Sequence, residues 1–193
     1  MTTEPNNTAF LTLTKEEHDI VHRVLHRAVD VATQHTVDAL GAQDQYMAQV
    51  SQAAMGSYGA VLNKLHEHAA GGATDAEFFA DPQAIDFMLN ATVAFLGHAR
   101  MALEENAIPA EYVDAVKERI GYAQTTAAKL AAFLREQAPE YAAGMVRAAT
   151  NALNGGAGSL PKWDEADPRE QASFREYVEL LNGAPVPQST RLQ

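Results

Sequence analysis

The chain contains no cysteine. That excludes disulfides, cysteine nucleophiles and thiolate metal sites, and it fits a reducing, cytoplasmic setting. Basic residues are few: 14 Lys and Arg against 25 Asp and Glu, a net charge of −11. Such a surface opposes nonspecific attraction to nucleic acid or to an anionic membrane. Aromatic residues make up 7% of the chain, with one tryptophan, Trp163. No uninterrupted apolar run reaches the roughly 18 residues of a membrane span, so a soluble protein is expected. The opening MTTEPNNTAF lacks the basic and apolar regions of a secretory signal. There is no Gly-x-Ser-x-Gly, no phosphate-binding loop and no dinucleotide fingerprint. The reading is therefore of a non-enzymatic protein.

What the chain does have is alanine and helical periodicity. Segments such as TTAAKLAAFL and YAAGMVRAAT combine the strongest helix former with a small side chain. Helices built this way approach one another closely. The most hydrophobic window is Ala84–Leu103. At about 100° per residue, Ile85, Met88, Leu89, Leu96 and Ala99 form one apolar stripe and Phe87, Ala91 and Ala94 a second beside it. A helix apolar over most of its circumference is enclosed by others. Asp86, Asn90, Arg100 and Glu104 mark a narrow polar edge, read here as a solvated strip. His98 falls in the second apolar face and is expected to be at least partly buried.

Residues 1–13 read as a flexible leader. Thr14-Lys15-Glu16-Glu17 is a capping-box pattern that starts a helix over about 15–40. A second helix over about 43–69 ends at Gly71-Gly72; within it Gly56 and Gly59 suggest a close crossing or a kink. A connector at 73–80 carries Phe78 and Phe79, expected to cap one end of the core. Asp81-Pro82 opens the central helix as cap and first residue. Pro109 begins a fourth helix to 137, whose residues Tyr112, Val116, Ile120, Ala123, Ala127, Leu130 and Leu134 form a heptad-like seam. Two shorter helices follow, at about 139–153 and 168–182, separated by a glycine-rich loop with Trp163 as an anchor. The expected architecture is all-α: a four-helix-bundle-like core with two additional shorter C-terminal helices, in a single domain over 14–182, and a mobile tail over 183–193.

Seven histidines are the residues with most chemical potential. His18, His22 and His26 stand at successive i, i+4 positions, so adjacent pairs can chelate a divalent ion. Their place toward the solvent side of the helix reads more simply as a polar face, and His66 points away from its own helix's inner face. No metal ligand set is assigned on this basis. A di-iron bundle needs Glu-x-x-His pairs, and the chain has none. His35, His68 and His98 each lie on or beside an apolar stripe of three different helices. They are the pocket candidates for a small molecule, a haem or a metal, against the simpler reading that each is satisfied separately. His98 lacks the exposed, flanked setting of a phosphotransfer histidine.

Function is expected to lie in protein–protein contact or self-association. The proposed contact faces are the seam helix and a C-terminal face of Phe174, Tyr177, Val178 and Leu181. The runner-up is a ligand-binding bundle using the inward histidines. A third reading, an acidic inhibitor of a nucleic-acid enzyme, needs the carboxylates gathered on one face.

Overall fold

The computed structural model describes residues 10–70, 76–79, 81–153 and 168–185. The elements run β1 (Phe10–Leu13), α1 (Lys15–Gly41), α2 (Gln45–Ala70), β2 (Ala76–Phe79), α3 (Pro82–Glu104), a 3-10 turn (Ala110–Tyr112), α4 (Val113–Gln137), α5 (Pro139–Leu153) and α6 (Pro168–Leu181). The fold is all-α, with six helices and one two-stranded ribbon among the described residues. None of these helices is long and apolar enough to cross a membrane.

The helix starts follow local chemistry. Thr14 Oγ1 accepts from the Glu17 amide, and Glu17 Oε2 accepts from the Thr14 amide at 2.8 Å, closing the capping box reciprocally. Asp81 Oδ1 accepts from the Gln83 amide at 3.0 Å, with Pro82 at the first helical position where its missing N–H costs nothing. Gln43 and Asn106, both at positive φ, turn the chain after α1 and after α3.

The central helix is α3. It touches α1, α2, α4 and α6, and Ile85, Met88, Leu89, Val93 and Leu96 on it are buried. Most of the seam is spent inside the fold: Ile120, Ala123, Ala127, Leu130 and Leu134 are buried, whereas Val116 is half-buried and Tyr112, in the 3-10 turn before α4, is exposed. Ala123, Ala127 and Ala131 are completely enclosed, which shows how small side chains let these helices close on one another.

Three expectations are corrected. The flexible leader of residues 1–13 does not extend to its end. Residues 10–13 pair antiparallel with 76–79, Phe10 opposite Phe79 and Leu13 opposite Ala76. Leu11 and Leu13 are core residues. Burying two leucines contributes roughly 1.5–3 kcal/mol each, and the strand gives their backbone groups partners. Within the expected connector at 73–80, Ala76–Phe79 forms the second strand of this ribbon. Gly56 and Gly59 do not mark a close crossing, since a Cβ at either would meet nothing within 4 Å. The close approach is at Gly97, where a Cβ would overlap Ser173 Oγ of α6. Trp163 and the tail beyond residue 185 lie outside the described residues.

α6 is an integral wall of the bundle. Tyr177, Val178, Leu180 and Leu181 are buried, and Phe174 packs half-buried on the same core. Most of the proposed C-terminal contact face is therefore taken up by the core, with Phe174 left half-buried at its edge. Arg100 of α3 pairs with Glu176 of α6 at 2.7 Å, both side chains largely shielded. Lys129 of α4 reaches Glu17 Oε2 of α1 at 2.6 Å. The carboxylate that caps α1 thus also ties α1 to α4.

Candidate functional site

Two features stand out on the α1–α2 hairpin. The first is a groove. From Thr33 to Met47 no residue is buried, so the far end of the hairpin stands clear of the other helices. Where α1 and α2 spread over α3, they leave a cavity of about 480 Å³ open to solvent. Val24, Ala28 and Val31 of α1 line one wall, Met47, Val50 and Ala54 of α2 the other, and Ala91, Ala94 and Phe95 of α3 the floor. Tyr58, whose ring meets Phe87 edge-on with centroids 5.3 Å apart, closes one end. Arg27, His35 and His98 supply the polar rim. Val31 on its wall and, beyond it, Val37, Leu40 and Tyr46 are exposed at 38%, 58%, 61% and 63%, a concentration of large apolar side chains toward one tip.

The pocket histidines are placed as follows. His35 and His98 share this groove. Both are exposed, so His98 is not the buried core residue that its wheel position predicts. α1 and α2 diverge over that face of α3 and leave it to solvent. Its Nδ1–H donates to the Ala94 carbonyl at 2.8 Å, which orients the ring. The His68 side chain lies outside the described residues.

The second feature is a histidine cluster. His22 and His26 sit one turn apart on α1, and His66 comes from α2. One ring nitrogen from each lies within 4.8 Å of the other two. The Nε2 atoms of His22 and His66 approach to 2.5 Å. Ring centroids are 4.6 Å apart for His22 and His26, 4.7 Å for His22 and His66, and 5.9 Å for His26 and His66. His18 stacks on His22 at 6.5 Å. Burial, followed by the neighbouring imidazoles His26, His66 and His18, holds His22 below the usual histidine range, with Asp19 opposing. The expectation that His66 points away is corrected: it faces α1. The i, i+4 spacing of His22 and His26 is visible in sequence; the third member, 44 residues from His22, is brought in only by the register of the hairpin.

A third polar group lies inside the core. Asp86, read as part of a solvated strip, is buried. Its Oδ1 accepts from the Tyr177 hydroxyl and its Oδ2 from the Tyr141 hydroxyl at 3.2 Å. Burial raises its pKa, and the two hydrogen bonds pull it back. Burial first, and then the Asp86 charge, push both tyrosines upward. Every member is held by another, and the group joins α3, α5 and α6. This arrangement fastens helices together. Comparison of the chain with protein-family models, with curated proteins and with solved structures finds no match.

Proposed function

We propose that this protein is a non-enzymatic, cytoplasmic binding protein that seats an amphipathic helix of a protein partner in the groove between α1, α2 and α3. The groove itself carries the reading. It is apolar on three sides and open to solvent, and its wall includes the exposed Val31. A groove of this kind takes a partner helix through side chains spaced at i, i+3 or i+4, and i+7. Arg27 on the rim favours a partner helix that brings a carboxylate to it, since complementary charge speeds encounter and rejects wrong partners. The seam of α4 and the face of α6 are less suited, because the bundle core already occupies them.

The cavity volume, about 480 Å³, also falls in the range of small-molecule sites. That favours, as second reading, an apolar ligand oriented by His35, His98 and Arg27. The inhibitor reading has less support: Glu17, Asp86 and Glu176 are buried and each is bonded within the fold, so they add nothing to an acidic surface.

Native mass spectrometry of the protein isolated from its source separates these readings. The groove reading expects a complex with a protein partner that Ala94→Arg abolishes while the fold persists. A bound small molecule lost in the same variant supports the second reading. A partner retained by Ala94→Arg, or a bare monomer, overturns the groove as the binding surface.

A further inference from the structure

The histidine cluster stands apart from the groove reading and has its own chemistry. Three imidazoles that crowd one another repel when protonated, and their approach does nothing for the core, because His26 and His66 are exposed and His22 is only half-buried. At 2.5 Å the His22 and His66 nitrogens have room for at most one proton between them, so at least one of the two presents a lone pair. A tetrahedral zinc ion with Zn–N bonds of roughly 2.0–2.1 Å holds its nitrogens about 3.3 Å apart. The observed spread, from 2.5 Å to at most 4.8 Å, brackets that value. His26 and His66 are exposed, so their rings have room to turn toward a common ion.

We propose that His22, His26 and His66 form a site for a divalent transition metal of the Zn2+ class, which pins α2 to α1. The ligand type selects the metal: neutral imidazole suits Zn2+, Ni2+ or Cu2+ and not Mg2+ or Ca2+, which take oxygen. The geometry of α1 presets two of the ligands, since residues four apart stand above one another on a helix. The third comes from the neighbouring helix, so the ion closes a loop between two sequence-distant segments. Three protein ligands leave a fourth position for water or a side chain.

The test uses the full chain and Zn2+ alone, followed by isothermal titration and thermal melting, with Mg2+ as control. The expected result is one Zn2+ per chain, a higher Tm with Zn2+, and no response to Mg2+. His66→Ala and His22→Ala each weaken Zn2+ binding at least about tenfold, the smallest loss that even outer-shell partners of a metal ligand produce. His35→Ala and His98→Ala leave it unchanged. Because His66 is exposed, its variant keeps the fold, which circular dichroism checks independently of metal. Unaltered Zn2+ binding in His66→Ala overturns the proposal. So does a stoichiometry of one ion per two chains with concentration-dependent dimerisation, which places the ligands on different molecules.

Discussion

Tyr177 donates its phenolic hydrogen to Oδ1 of Asp86, linking α6 to the central helix α3 inside the core. Tyr177→Phe keeps the ring and removes that donor, leaving a buried carboxylate with Tyr141 as its remaining hydroxyl partner among the described contacts. An unsatisfied buried acceptor costs about 1–3 kcal/mol, more when it is charged. Urea unfolding of Tyr177→Phe is expected to show a loss in that range with an unchanged m-value. A loss of a few tenths of a kcal/mol would mean that water replaces the hydroxyl and that the bond adds little.

The same carboxylate sets a pH dependence. Burial holds the Asp86 pKa above its ordinary 3.8 despite the two hydrogen bonds. The folded state therefore binds the Asp86 proton more tightly than the unfolded state does. Its contribution to stability is complete below the unfolded value and is lost as pH rises through the folded one. Asp86→Asn removes this titration. The unfolding free energy of the Asn variant is expected to improve relative to the parent as pH rises from 3.8 through the folded value, and then to level off. Denaturation curves at a series of pH values from about 3 to about 7, either side of the ordinary carboxylate range, read it directly. The reverse slope would show that the tyrosine bonds outweigh burial.

Two glycines provide a matched pair. Gly97 faces Ser173 Oγ so closely that any Cβ displaces it, whereas Gly59 has open space on its outer side. Gly97→Leu is expected to destabilise by about 1–3 kcal/mol through overpacking between α3 and α6. Gly59→Ala is expected to stabilise by about 0.5–1 kcal/mol, because alanine gives up less backbone freedom in a helix interior. Thermal melts of both variants decide the matter. Equal and opposite-to-expected shifts would mean that α6 is not seated where Gly97 requires.

Much of the scaffold is legible along the chain because its causes are local. Thr14 and Glu17 lie three residues apart, Asp81 and Pro82 are adjacent, and the seam from Ile120 to Leu134 repeats with the helical period. Capping and amphipathicity need no knowledge of what packs opposite, so helix positions and the all-α class follow from the sequence. The polar edge of α3 shows where that local view ends. Asp86 and Arg100 look like solvent-facing residues until α5 and α6 arrive with Tyr141, Tyr177 and Glu176. Hydrogen-bond partners offset much of the cost of burying a polar residue, and those partners lie 55, 91 and 76 residues away.

The histidines divide along the same line. Sequence alone determined the helices, their caps and the i, i+4 pairing of His22 with His26. Tertiary structure decided that His66 completes the cluster, that His35 and His98 share an open groove, and that most of the faces offered by α4 and α6 is taken up by the core. The reason is physical: helical spacing is set by neighbouring residues, but the register between α1 and α2 is set by the sum of their interhelical packing. No single residue in the chain encodes that sum.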